Sequence, residues 1–164
     1  MIVILMGVCG CGKTTVGRAL ADALGWRFHD ADDFHPPANV AKMAAGHALT
    51  DEDRWPWLAS IVEAMRRIEH EEGNAVLACS ALRQIYRDRL AHAGDVRFVH
   101  LKGDYDTISA RLAARSHRYM PASLLGSQFA ALEPPHDALT IDITQSVQEQ
   151  VDEIRSALAA RAGP

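Results

Sequence analysis

The sequence predicts an α/β fold in which a five-stranded parallel sheet is flanked by helices on both faces. Five short runs rich in aliphatic residues alternate along the chain with longer stretches of helical periodicity. The first run, IVILM, is apolar without interruption, as is typical of a parallel strand buried on both sides. The 164 residues are enough for one hydrophobic core. We therefore expect a single domain over residues 1–164.

The first strand and the first helix have the clearest signals. The run IVILM occupies residues 2–6. A helix is predicted over 13–24, because Val16, Leu20 and Leu24 recur at helical intervals and the glycine that follows supplies a stop.

The next segment predicts one strand and two helices. Residues 26–29 form a second strand, which ends at the acidic turn DADDFHPP. A short helix over 38–45 is closed by a glycine. Thr50 can cap a longer helix, whose first turn holds three acidic residues that complement the helix dipole. Pro56 must then lie within the early part of that helix, whose apolar positions continue to Ile68.

The second half of the chain repeats the alternation. AVLACS and VRFVHL have the composition of strands, and the segment SHRYMP breaks the helical pattern that follows them. The predicted elements are strand 75–80, helix 82–94, strand 96–101, helices 104–115 and 122–132, strand 139–143 and helix 146–161.

Composition excludes several classes of protein. The net charge of −4 argues against broad binding to nucleic acid or anionic membranes, which requires a basic surface. No apolar run approaches the ~20 residues that span a bilayer, and IVILM lacks the basic flank of a signal peptide. The three cysteines have no disulfide-framework spacing. We expect a cytoplasmic protein with reduced thiols.

A nucleotide-binding motif lies between the first strand and the first helix. Residues 7–14, GVCGCGKT, match G-x-x-x-x-G-K-[ST] in the strand–loop–helix context that this motif requires. The glycines let backbone N–H groups converge on a phosphate, Lys13 reaches the β and γ oxygens, and the Thr14 hydroxyl ligates Mg²⁺. A Cys-x-Cys metal site is the alternative, but it lacks further ligands at suitable spacing. The motif predicts ATP and Mg²⁺ as cofactors.

The two cysteines of this loop carry a separate hypothesis. Cys9 and Cys11 lie close to a helix N-terminus and to Lys13, a setting that generally lowers the pKa of a thiol. We therefore expect alkylation or oxidation of either thiol to block nucleotide binding.

An acidic cluster follows the second strand. Asp30, Asp32 and Asp33 should lie across from the phosphate loop, because ligands of open α/β sheets gather at the carboxyl ends of the strands. Carboxylates there can orient Mg²⁺ waters and accept the proton of an attacking hydroxyl. The alternative is a solvated turn.

Longer motifs resemble one family. The runs HDADDFHPPANVAKMAAGHALTDEDRWPWL, CSALRQIYRDRL and RSHRYMPASLLGSQFAALEPP together resemble gluconokinases of the small P-loop type, relatives of shikimate and nucleoside monophosphate kinases. The resemblance covers about residues 3–143. It implies a P-loop kinase fold with a lid at about 115–122, and a homodimer. It also implies phosphorylation of the C6 hydroxyl of D-gluconate by MgATP, giving 6-phospho-D-gluconate for the pentose phosphate pathway.

The resemblance further implies roles for single residues. Asp30 would act through the Mg²⁺ waters and Asp32 would orient or deprotonate the acceptor hydroxyl. The expected catalytic residues are Lys13, Asp30, Asp32 and Arg115, and the expected metal ligands are Thr14 and Asp30. The residues expected to hold the nucleotide are Gly7, Val8, Cys9, Gly10, Cys11, Gly12, Lys13, Thr14, Thr15, Arg111 and Arg115. The residues expected to bind the acceptor are Asp32, His35, Lys42, Arg54, Arg83, Arg87 and Gln128.

Simpler interpretations stay open for several of these. Arg111 and Arg115 lie one helical turn apart, either as lid arginines or as exposed helix charges. The basic acceptor residues could equally be surface charges, although a bidentate guanidinium makes Arg54 well suited to a carboxylate. Trp55 is either a packing residue or part of the acceptor pocket.

Two other functions remain possible at this stage. One is a different small-molecule kinase, for shikimate, a nucleotide or another sugar acid. The other is a non-catalytic nucleotide-binding switch that acts on a protein partner. The C-S-A-L and D-x-D-R-x-P-W-L motifs weigh against the first, and the acidic cluster weighs against the second.

Overall fold

The computed structural model describes residues 1–114 and 122–161. Five strands form one parallel sheet in the order β2-β3-β1-β4-β5. The strands are β1 (Ile2–Met6), β2 (Arg27–Asp30), β3 (Ala75–Ala78), β4 (Val96–Lys102) and β5 (Leu139–Asp142). The helices are α1 (Lys13–Leu24), α2 (Pro37–Ala44), α3 (Asp51–Glu72), α4 (Gln84–Ala91), α5 (Tyr105–Ala114), α6 (Ala122–Ala131) and α7 (Val147–Arg161). The predicted fold class is confirmed.

The central strand β1 joins two hydrophobic cores. Ile2, Ile4 and Met6 pack in a cluster with α3 and α4 on one face of the sheet. Val3 and Leu5 belong to a second cluster, with α1 and α7, on the other face. Side chains of a strand alternate between the two faces, so an uninterrupted apolar run is what this position requires.

The long helix α3 begins with a capping box. Asp53 N donates to Thr50 Oγ1 at 3.3 Å, and Thr50 N donates to Asp53 Oδ2 at 2.7 Å, so two backbone donors at the helix start are satisfied. Pro56 lies within the helix, as expected. The cap fixes the entry of α3 beside the carboxyl ends of the strands.

Two local differences from the sequence analysis lie at those carboxyl ends. The acidic turn contains a 3₁₀ helix, Ala31–Phe34. Strand β3 ends at Ala78 rather than at residue 80, and the chain turns away at Ala81, the only non-glycine residue of the described part with a positive φ (42°). Asp32 in the first segment and Ser80 in the second line one cavity together with the loop between β1 and α1.

Within the described residues, none of the helices combines the length and the apolar character needed to cross a membrane.

Candidate active site

The loop between β1 and α1 depends on its glycines. Gly7 has φ +141°, and a Cβ there would meet Cys11 Sγ and Leu101 O, each at 2.8 Å. Gly12 caps α1 with a left-handed φ of 103°. Side chains at these positions would strain or displace the loop. The Lys13 ammonium group donates to the carbonyls of Gly7 (2.9 Å) and Val8 (3.0 Å), so it lies across the mouth of the loop.

Asp30 ends strand β2 beside this loop. Its Oδ1 accepts a hydrogen bond from the backbone N–H of Asp32 at 3.0 Å. Its Oδ2 lies 3.5 Å from the Thr14 hydroxyl, which donates toward it. A hydroxyl and a carboxylate oxygen therefore meet at the start of α1, as the sequence analysis expected.

One cavity of about 620 Å³ combines the phosphate loop and the acidic turn. Because it is built at the carboxyl ends of β1, β2 and β3, it occupies the position where ligands of parallel sheets bind. The predicted site residues that line it are Cys9, Gly10, Gly12, Lys13, Thr14, Thr15, Asp30, Asp32, His35, Arg54 and Gln128.

Asp32 projects into this cavity. Its side chain is 83% exposed, but the surrounding cavity walls partly desolvate it. This desolvation is the main cause that raises the pKa of Asp32, with the neighbouring Asp30 charge adding to it and Lys13 opposing it. The Asp32 carboxylate is therefore accessible to a ligand, and its surroundings favour the protonated form.

His35 forms the wall next to Asp32. Its side chain is only 4% exposed and stacks on Trp57 at a centroid distance of 4.2 Å. Burial, together with the charge of Arg54, lowers the pKa of His35 to about 4, so the imidazole is neutral at pH 7. Its Nε2 lies 3.7 Å from Asp32 Oδ1, which is longer than a hydrogen bond.

Arg54 reaches the cavity from α3. Its Nη1 donates to Leu49 O at 2.7 Å and to the Tyr86 hydroxyl at 3.3 Å, and its guanidinium lies over the Tyr86 ring. Within the described residues, Arg54 donates hydrogen bonds only through Nη1, which leaves the remaining N–H groups of the fork for an anion.

Lys42, Arg83 and Arg87 do not line this cavity. Lys42 Nζ lies 2.5 Å from Asp53 Oδ2 and thereby supports the start of α3. Arg83 pairs with Asp51 at 2.5 Å. Arg87 is buried and donates to four oxygens, two of which are the carbonyls of Ala81 and Leu82. These contacts give all three residues structural roles around the site.

Gln128 and Glu133 tie helix α6 and the segment after it to the site. Gln128 Oε1 accepts from the Cys9 backbone N–H at 2.6 Å, so α6 holds the phosphate loop directly. Glu133 accepts from Gln84 N at 2.5 Å and thereby caps α4. The run QFAALEP, residues 128–134, does not predict these contacts, because both join segments far apart in the chain.

Of the two arginines expected in the lid, the structure describes only Arg111. Arg111 Nη2 donates to Ile143 O at 2.5 Å, so its guanidinium bridges α5 and the segment after β5. Arg115 and residues 116–121 of the predicted lid lie outside the described residues, whereas Ala122 begins α6.

The expected activation of the loop thiols is wrong for Cys9. Desolvation by burial raises the pKa of Cys9, and this outweighs the lowering effect of Lys13. Cys11 is 1% exposed and packs against Gly7. The proximity rule failed because burial of a thiol disfavours its anion.

Slow alkylation of Cys9 is the consequence that can be measured. At pH 7.5 we expect iodoacetamide to modify Cys9 more slowly than an unstructured cysteine peptide, because the thiolate fraction is reduced. Tandem mass spectrometry of timed digests separates Cys9 from Cys11. Modification faster than the peptide would contradict the raised pKa.

Several residues in or behind the cavity wall escaped the sequence analysis, among them His47, Trp57 and Asn39. Trp57, rather than Trp55, lines the cavity, whereas Trp55 lies edge-on to Tyr86 at 6.0 Å. Asn39 is 5% exposed and contacts His35. No helix-face pattern linked the two residues, because His35 has an extended backbone and lies before α2 begins.

Comparisons with known proteins agree with this geometry. The shikimate kinase family model matches residues 9–158. The gluconokinase of Gluconobacter oxydans is 48% identical over 137 residues, covering 82% of this chain and 76% of the relative. The thermosensitive gluconokinase of Escherichia coli K12 is 41% identical over 162 residues, covering 96% and 87%. The crystal structure of a gluconokinase from Sinorhizobium meliloti superposes with a TM-score of 0.87 at 41% identity, covering 98% of this chain and 92% of that one. The chain belongs to the gluconokinase family, within the wider group that the shikimate kinase model describes.

Proposed function

We propose that this chain transfers the γ-phosphoryl group of ATP to the C6 hydroxyl of D-gluconate, giving 6-phospho-D-gluconate and ADP. One observation carries the proposal: a single cavity holds both the phosphate loop with Lys13 and the acidic turn with Asp32. Donor and acceptor can therefore meet in one place. Relatives named gluconokinase, at 41–48% identity, support gluconate as the acceptor.

The phosphate side of the reaction uses the loop and the start of α1. Backbone N–H groups and the helix N-terminus hold the β-phosphate, and Lys13 neutralises charge that spreads over the transferring group. The Thr14 and Asp30 oxygens, 3.5 Å apart, are hard ligands of the kind that Mg²⁺ prefers. When bound there, Mg²⁺ would neutralise the phosphate oxygens. Among the described residues no cluster of three or more His, Cys, Asp or Glu groups is arranged to hold a metal, and a site of one or two protein ligands is typical of Mg²⁺.

The acceptor side uses the two aspartates differently. Both oxygens of Asp30 face donors, the Asp32 N–H and the Thr14 hydroxyl, which suits a residue that holds metal waters. Asp32 is exposed to the cavity and can accept the proton of the attacking hydroxyl. We assign Asp32 as the base on this difference.

Arg54 is the residue that we assign to the gluconate carboxylate. It lines the cavity and is held in position through its contacts with Leu49 and Tyr86. A planar guanidinium can pair with a carboxylate in two parallel hydrogen bonds. Lys42, Arg83 and Arg87 act around the pocket rather than on the substrate in this proposal. Arg115 remains a proposed lid residue for the phosphoryl group.

The substrate is tested by measuring ADP release from MgATP with D-gluconate, shikimate, AMP and a neutral hexose in parallel. We expect release with gluconate alone, together with 6-phosphogluconate. Release with shikimate would keep the phosphoryl-transfer site and discard gluconate as the acceptor. Release with AMP or the neutral hexose, which have no carboxylate, would also discard Arg54 as the carboxylate residue. Nucleotide binding without release would favour a non-catalytic switch.

Two further properties belong to the proposal. We propose a homodimer, on the family resemblance, and a location in the cytoplasm. Light scattering after size exclusion measures the first, and a mass of one chain, 17.9 kDa, would contradict it.

A further inference from the structure

Asn39 is a buried polar residue that stands behind the acceptor site. It lies on α2, is 5% exposed and is not among the residues that line the cavity. Its amide nitrogen lies 2.8 Å from the carbonyl oxygen of Asp53 and 3.3 Å from Nδ1 of His35. A buried amide with two such partners has a fixed orientation.

The Asp53 carbonyl decides which way the amide faces. A carbonyl oxygen can only accept, so the Asn39 atom at 2.8 Å must be the nitrogen, which has two hydrogens to donate. One hydrogen goes to Asp53, and the other is directed at Nδ1 of His35. Nδ1 must accept that hydrogen bond with its lone pair.

A neutral imidazole has one donor nitrogen and one acceptor nitrogen. Because Nδ1 of His35 accepts from Asn39, the proton is on Nε2. Stacking on Trp57 holds the plane of the ring and points Nε2 toward Asp32 Oδ1, 3.7 Å away. In the opposite tautomer a lone pair of Nε2 would face the carboxylate, which is repulsive.

We propose that Asn39 is a positioning residue that fixes His35 as the Nε2–H tautomer, so that His35 donates a hydrogen bond to a hydroxyl of the sugar acid. The proposal rests on the function proposed above. An oxygen can lie within hydrogen-bond distance of both Nε2 and Asp32 Oδ1, since these atoms are 3.7 Å apart. A hydroxyl there accepts from His35 and directs its own hydrogen to Asp32. His35 and Asp32 together thus select a hydroxyl at this point, because a hydroxyl can both accept and donate a hydrogen bond.

The tautomer is tested first, without any turnover. Long-range ¹H–¹⁵N correlation spectra of the ¹⁵N-histidine-labelled protein at pH 7 distinguish a protonated from an unprotonated ring nitrogen, and the His35→Gln spectrum assigns the signal. We expect a protonated Nε2 and an unprotonated Nδ1. A protonated Nδ1, in the neutral ring or in the cation, overturns the proposal.

Kinetics of Asn39→Ala then test the consequence. Losing a single fixed hydrogen bond predicts a fall of about tenfold in kcat/KM for gluconate, with KM for ATP unchanged. Val40→Ala is the matched control, because Val40 is exposed on the same helix. A folded Asn39→Ala protein with wild-type kcat/KM for gluconate overturns the proposal.

A second pair of variants covers the case in which Asn39→Ala does not fold. His35→Gln keeps an N–H donor in roughly the place of Nε2, whereas His35→Leu keeps only bulk. We expect His35→Gln to retain more kcat/KM for gluconate than His35→Leu, and equal losses overturn the donor role. If the wild-type protein did not phosphorylate gluconate, the proposed function would fail, and the wild-type spectrum would still decide the tautomer.

Discussion

Replacing Asp32 by asparagine is expected to lower kcat for gluconate phosphorylation by about 10²- to 10⁴-fold, the range usual for loss of a general base. The substitution keeps the shape of the side chain and removes its ability to take a proton. The carboxylate is 83% exposed and lies 3.7 Å from the His35 ring, which is neutral at pH 7 and forms no ion pair with it, so the fold does not depend on it. The melting temperature should therefore stay at the wild-type value.

Asp33→Asn is the matched control for this variant. Asp33 is exposed in the same 3₁₀ helix, carries the same charge and is not among the residues of the cavity wall. Steady-state rates of ADP release for both variants, over ranges of gluconate and ATP, separate the effect of the base from that of charge alone. Near-normal turnover of Asp32→Asn would transfer the acceptor role to Asp30. An equal loss in both variants would point to the charge of the turn.

The order of elements was predictable because each depends on residues close together in the chain. IVILM could only be a strand buried on two faces, and Gly25 ends α1 with a left-handed φ of 67°, as a helix stop should. The end of β3 was not predictable in the same way. The run AVLACS predicts a strand through residue 80, but β3 ends at Ala78 and the chain turns at Ala81, whose carbonyl accepts from buried Arg87.

The difference between local and long-range contacts also separates the predictable residues of the site from the unpredictable ones. The phosphate loop is a local pattern, so its residues could be placed from their spacing. The partners of the basic residues are distant in sequence: Arg83 meets Asp51, 32 residues away. The family resemblance implied a substrate role for Arg83 and left a structural pair open, and the sequence alone could not show that Asp51 would be its partner. Asn39 was overlooked for the same reason, since one of its two partners is the Asp53 carbonyl, 14 residues away.

For Cys9 the local rule predicts the wrong direction of the pKa shift. Lys13 is four residues away and does lower the pKa of the thiol, as the rule states. The folded chain, however, packs α6 against this loop through Gln128, and the resulting burial has the larger effect. Burial is a property of the whole fold, so no count of neighbours in sequence could supply it.

Replacing Lys13 by alanine is expected to lower kcat by about 10²- to 10³-fold, comparable with the loss of one preorganised donor to developing charge. The ammonium group lies 2.9 Å from Gly7 O and 3.0 Å from Val8 O, at the edge of the cavity that holds the phosphates in the proposed mechanism. Charge on the transferring oxygens grows in the transition state, so a cation placed there acts on kcat more than on binding. Lys102→Ala is the control, because Lys102 is an exposed lysine at the end of β4 that does not line the cavity.

Whether the substitution changes kcat or the dissociation constant for ATP decides what Lys13 does. A fall in kcat with an unchanged dissociation constant for ATP, measured by calorimetry, would assign Lys13 to the transition state. A rise in the dissociation constant alone would mean that the ammonium group binds the ATP phosphates equally well in the ground state and in the transition state. Stabilisation of the developing charge would then have to come from the metal and the lid. Unchanged values of both would remove Lys13 from the reaction and leave the loop as a backbone cradle only. The melting temperature of Lys13→Ala, compared with that of the wild type, checks that each of these outcomes is read in a folded protein.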